Sequence, residues 1–175
     1  GRTPVVLSEK WADATTWEIT RPYLYTCRTV FTPNAAQPFE RKTTFGFREV
    51  WREGRRILMN GHEQHFRGAW NASGWTATRA PHAYGHNLSY QTHNHAPVLK
   101  ADFEPYARAG IAVFTATPTI YYVHDDIRKD KWCSIQFSRH LDFWLKSVRN
   151  APSVVAASVG VNQICPERNM RPEML

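Results

Sequence analysis

Thr92-His93-Asn94-His95 is a stretch where residue types and spacing invite chemistry. Side chains two apart on a strand point the same way. His93 and His95 could therefore bind a metal ion or a sugar hydroxyl, with Asn94 between them. Ordinary packing and loop hydrogen bonds are the alternative. Tyr121-Tyr122-Val123-His124-Asp125-Asp126 offers two adjacent carboxylates behind aromatic residues. Close spacing can push two carboxyl pKa values apart and leave one group an acid and the other a base. Capping of a following helix is the simpler use of Asp125 or Asp126. Trp70 and Trp75 stand beside Asn71 and Gly74 rather than inside apolar runs. That setting suits stacking on a flat ligand, sugar or base, and core packing is an equal reading of either ring.

Other chemistry is thin. The sequence has no phosphate-cradling Gly-rich loop, no Gly-x-Ser-x-Gly elbow and no His-Glu-x-x-His. Gly61-His-Glu-Gln-His65 contains metal-ligand types, but it falls on a turn and strand and reads as part of a hairpin. Nothing in the sequence requires a cofactor or a metal.

The elements that must position these residues change character along the chain. TTWEIT (15–20), YLYTCRTVF (23–31) and RKTTFGFREVW (41–51) alternate apolar and polar residues and predict half-buried strands. Glu53-Gly54 turns the last of these into RRILMN (55–60), and Asn60-Gly61 is a tight hairpin signal. After His65, strands alternate with helical patterns. HFRGAW (65–70), NLSYQTHNH (87–95), IAVFTATPTIYY (111–122) and VVAASVGV (154–161) predict strands. A weak helix over 73–85, a helix over 97–110 and a clear helix over 131–150 connect them. Pro97 suits a first helical turn, Gly110 a C-cap, and Pro105 predicts a kink. This is the βαβ grammar of a parallel sheet. Its four strands are about half of what an eight-stranded barrel of roughly 250 residues needs.

Composition bounds the reading without deciding it. The chain has 175 residues, 42% hydrophobic and 21% charged, enough for a real core. No apolar run reaches the roughly 18 residues that span a bilayer. A net charge of +7 raises the prospect of an anionic partner. The charge is scattered, however, and its densest group, Arg48, Arg52, Arg55 and Arg56, is interleaved with Glu49 and Glu53. Cys27, Cys133 and Cys165 form no Cys-x-x-Cys pair and read as structural or free thiols that leave the compartment open. The chain opens on Gly1 with no signal-peptide core, which predicts a processed, trimmed or excised segment.

Four stretches, in order, resemble the landmarks of glycoside hydrolase family two, the β-galactosidase, β-glucuronidase and β-mannosidase group. They are RPYLYT (21–26), TTFGFREV (43–50), LMNGHEQHFRG (58–68) and VRNAPSVVAASVGVNQ (148–163). The resemblance implies an α/β fold with an N-terminal β segment. Residues 1–50 would end an immunoglobulin-like β-sandwich, 51–64 would form a connecting hairpin, and 65–175 would be the first half of a (β/α)8 TIM-type barrel. It implies hydrolysis of a β-linked glycoside through two carboxyl groups, with retention. Ligand residues would then sit at the carboxyl ends of the barrel strands. Trp70, His93, Asn94, His95, Asp125 and Asp126 would meet the sugar, and Asn162 would hydrogen-bond its 2-hydroxyl.

Departures accompany the matches. Gln163 stands where the family carries its acid/base Glu, and an amide cannot donate and recover a proton at neutral pH. Glu167 is the nearest carboxylate that could replace it. Ala151 stands where the family has His, and the nucleophile's strand would lie beyond Leu175. The expectation is a glycoside hydrolase-like protein in part, without its usual acid/base, whose barrel is completed by more chain or by another chain. The alternatives are a non-catalytic carbohydrate-binding or assembly module and, behind it, a basic nucleic-acid binder.

Overall fold

The computed structural model describes residues 4–33, 37–70, 85–92, 100–116 and 130–158. Two antiparallel β units come first. β1 (Tyr25–Phe31) and β2 (Phe39–Phe45) form a ribbon whose register runs from Tyr25 opposite Phe45 to Phe31 opposite Phe39. β3 (Val50–Glu53), β4 (Arg56–Met59) and β5 (His62–Glu63) make a short meander. Its second turn is Asn60-Gly61, with φ of 50° and 86°, the two left-handed residues that a two-residue hairpin turn demands. The Asn60 side chain accepts from Glu49 N–H at 2.9 Å and donates to the Trp17 carbonyl at 3.0 Å, tying the turn to the N-terminal segment.

A four-stranded parallel sheet follows. It runs in chain order through β6 (Gly68–Trp70), β7 (Leu88–Thr92), β8 (Ala112–Ala116) and β9 (Val154–Ser158). A one-turn 3-10 helix (Lys100–Phe103) leads into α1 (Glu104–Ala109), and α2 (Lys131–Val148) precedes β9. The helices cover one face. Phe103, Tyr106, Trp144 and Val148 pack on Val113 and Val154 with Ile111 and Ala151, and these residues form the buried core. Alternation turns Leu88, Tyr90, Ala112, Phe114 and Ala116 to the opposite face.

Three expectations are corrected. Residues 15–20 form no strand and leave a single bridge, Thr16 with Phe47. Trp17 is spent on anchoring, fully buried with its indole N–H donating to the Ala107 carbonyl at 2.7 Å. The run 41–51 splits into β2 and β3 because Gly46 to Glu49 crosses between sheets: Phe47 gives its carbonyl to Trp17 N–H at 2.7 Å, and Arg48 reaches the entry to β9. Pro105 does not kink a helix. It lies in the first turn of α1, where its missing N–H removes no helical bond. Gly110 ends that helix in the left-handed conformation, φ 67°, as its position predicted.

The weak helix expected over 73–85 falls almost wholly outside the described residues, as does Pro97. Among the described residues, no helix is long and apolar enough to cross a membrane. Cys27 is a free, exposed thiol; the Cys133 side chain and Cys165 lie outside the described residues.

Candidate functional site

Parallel pairing brings four strand ends to one edge. Thr92 lies opposite Ala116, Ala116 lies opposite Ser158, and Trp70, which ends β6, lies opposite Tyr90. In sheets of this kind, ligands collect at the carboxyl ends of the strands, because loops from neighbouring strands converge there on a rigid base.

Two layers of side chains stand beneath that edge. On the face away from the helices, Tyr90 and Phe114 lie side by side with ring centroids 4.9 Å apart. Burial pushes the Tyr90 phenol above its ordinary range, so the hydroxyl stays neutral and can both donate and accept. On the helix face, Gln91 donates its amide to the Ser89 hydroxyl at 2.6 Å. The Tyr106 phenol joins this pair from α1; burial raises its pKa, and its hydrogen bonds with Ser89 and Gln91 partly offset the rise. One step further along, Thr115 Oγ1 is buried with no hydrogen-bond partner. The arrangement is a polar seam under the strand ends on one face and an aromatic floor on the other.

The sequence-predicted residues sit at or past this edge in the chain. His93, Asn94 and His95 come directly after Thr92 but lie outside the described residues, as do Asp125, Asp126, Asn162, Gln163, Glu167 and Trp75. Of Trp70 only the backbone is described. The structure supplies the strands that lead to these residues. Among the described residues, no group of three or more His, Cys, Asp or Glu is placed to hold a metal ion. Arg67 is exposed and donates to the Gly85 carbonyl at 2.7 Å, joining the approaches to β6 and β7 at the opposite edge.

Sequence reading passed over Tyr90, Phe114 and the Ser89–Gln91–Tyr106 seam. Their signal was the polar alternation of Ser89 and Gln91 inside a strand otherwise read for its histidines. Among the described residues, three clefts lie away from the carboxyl edge. One is lined by Lys42, Thr44 and Glu104 between β2 and α1, one by Phe45, Arg48 and Pro152, and one by Glu18, Arg67 and Asn87 beside the amino ends of β6 and β7. None contains a residue expected to meet a ligand.

No family model matches the sequence, and no curated protein resembles it detectably in sequence. In three dimensions the chain shares the fold of a segment found in glycoside hydrolases of family two, which bears out, at the level of fold, the resemblance carried by the four sequence landmarks. β-Glucuronidase 3 of Bacteroides uniformis matches with a TM-score of 0.65 at 21% identity, over 83% of this chain and 20% of its own. A β-glucuronidase of Bifidobacterium dentium, solved with coumarin-3-O-glucuronide, matches with a TM-score of 0.68 at 19% identity, over 85% and 26%. A family-two member from Bacteroides cellulosilyticus gives 0.62 and 19%, over 83% and 20%. The chain thus spans about a quarter or less of the length of these structures.

Proposed function

We propose that this chain is the sandwich-to-barrel portion of a glycoside hydrolase-like protein and presents a carbohydrate-binding edge at the carboxyl ends of β6 to β9. In this reading, residues 1–50 close an immunoglobulin-like sandwich, 51–64 connect, and 65–175 carry the first four strands of a (β/α)8 barrel. The observation that carries it is four parallel strands laid down in chain order, each ending at the edge where His93, Asn94, His95, Asp125, Asp126, Asn162 and Gln163 follow in sequence. The fold likeness to β-glucuronidases supports the same reading and suggests a β-glycoside, a glucuronide first among them.

Trp70 stacks on the sugar ring, the histidines and Asn94 hydrogen-bond its hydroxyls, and Asn162 takes the 2-hydroxyl. Gln163 binds as an amide where a hydrolase of this kind needs a proton donor. Sugar is therefore held without turnover by that route, and Glu167, four residues on, is the nearest carboxylate that could replace the missing acid. Gln163 favours a second reading, a non-catalytic carbohydrate-binding or assembly module on the same scaffold. Both readings place further strands against β6 and β9, which have open sides among the described residues.

The test is saturation-transfer NMR of the protein with phenyl β-glucuronide, β-galactoside and β-mannoside, read alongside product release. Binding of at least one glycoside without hydrolysis is expected, and Trp70→Ala should weaken it roughly tenfold or more, the scale of a lost stacking contact of about 1–3 kcal/mol. No binding across the panel, together with salt-steep binding to an RNA oligomer, would overturn the reading in favour of a nucleic-acid binder.

A further inference from the structure

The carbonyls of Ala151, Pro152, Ser153 and Val154 carry the chain from the end of α2 into β9, and each one is taken. Val113 N–H donates to the Ser153 carbonyl at 2.6 Å. The other three converge on one side chain. Arg48 donates through Nε to Pro152 at 2.6 Å, and through Nη2 to Ala151 at 3.2 Å and to Val154. No acidic side chain is among these partners. Burial lowers the pKa of Arg48, yet the planar fork keeps its charge and spreads it over three carbonyl dipoles. An arginine from the N-terminal β region thus holds the backbone of a strand in the parallel sheet.

The ladder is irregular at the same point. Val113 pairs with Val154, but Phe114 pairs with Ala156, so Val155 is an extra residue, a β-bulge. Beyond it the pairing is regular, with Thr115 opposite Ala157 and Ala116 opposite Ser158. Ser153 gives its carbonyl to β8, so in a pleated strand the Val154 carbonyl faces away from that neighbour and is free for the guanidinium.

We propose that Arg48 is a positioning residue that sets the register of β9 against β8. Its hold on Val154 fixes where the strand begins, and the Val155 bulge absorbs the one residue by which that start and the later ladder disagree. Without Arg48 the released start slips into line with the later ladder, and Val113 comes to stand opposite Val155. A slip of one residue exchanges the two faces of a strand. Val154 then leaves the core face it shares with Val113. The register does not depend on the function proposed above, so the two fail separately.

The experiment is backbone NOE mapping across β8 and β9 in the intact, isotope-labelled protein and in Arg48→Met. The expected result is a one-residue shift at the start of β9, with the contact of Val113 moving from Val154 to Val155 while Phe114–Ala156 and the β1–β2 register are unchanged. Persistence of the Val113–Val154 contact in Arg48→Met would overturn the proposal. If that variant does not fold, Arg48→Ala is titrated with methylguanidinium at concentrations well below denaturing. Return of a folded spectrum with Val113 opposite Val154 supports the assignment, and a spectrum that stays unfolded defeats it.

Discussion

Gly110 is where one atom decides most. Its φ of 67° is left-handed, and a Cβ added there would run into the carbonyl oxygen of Ile19. Gly110→Ala is therefore expected to cost about 1–3 kcal/mol in backbone strain and to displace the N-terminal segment as well. Gly61→Ala, at φ 86° with open space around it, should cost only about 1–2 kcal/mol. Urea midpoints of the two variants give the comparison; equal losses would mean that the segment around Ile19 yields freely. Tyr106 makes a second prediction. Burial holds its phenol above the ordinary value near 10, so in alkali the native state keeps a proton that the unfolded chain has released. Its contribution is fully present below about pH 10 and is lost as pH rises past that value. The unfolding midpoint should fall on that limb, and Tyr106→Phe should flatten the fall. A variant with the unchanged alkaline limb would assign the loss to other groups.

The elements differ in how plainly their residues announce them. α2 was legible because Leu141, Trp144 and Val148 recur at helical spacing and do meet the core. Its other side carries Trp132 and Phe143, 68% and 59% exposed, so the apolar pattern was wider than the buried stripe. The distinction is measurable. Trp144→Ala is expected to cost about 3–5 kcal/mol. Asp142→Ala, which removes an exposed pair to Lys146, should change stability by less than about 0.5 kcal/mol. Denaturant melts of both variants check this, and a large effect at Asp142 would mean that the pair is shielded. β1 followed from alternation and β8 and β9 from apolar, β-rich runs, whereas the strand that alternation predicted over 15–20 did not form. A half-buried strand and an extended segment pinned by one tryptophan have the same pattern of residue types, and only the distant partner, Ala107, tells them apart. The break at Gly46 was hidden for the same reason, since its cause is Arg48 turning toward Val154.

For the whole molecule, ordering was readable and interlocking was not. Strand, helix and strand in alternation predicted a parallel sheet, and the sheet runs β6-β7-β8-β9. Nothing local predicted that Trp17 and Arg48 would fasten the N-terminal region to it, because such contacts are properties of two segments together. Of the candidate site, the strands that approach it were legible, and the aromatic floor was not, because Tyr90 and Phe114 meet only through the pairing of β7 with β8.

The bond from Arg48 to Val154 also has a meaning in time. The two residues are 106 positions apart. At roughly 5–20 residues per second, a ribosome needs about 5–20 s to make Val154 after Arg48. Throughout that interval the guanidinium lacks Val154, and the crossing from Gly46 to Glu49 has no anchor at its far side. The crossing is made well before the strand that fastens it, and gains its hold only when β9 emerges.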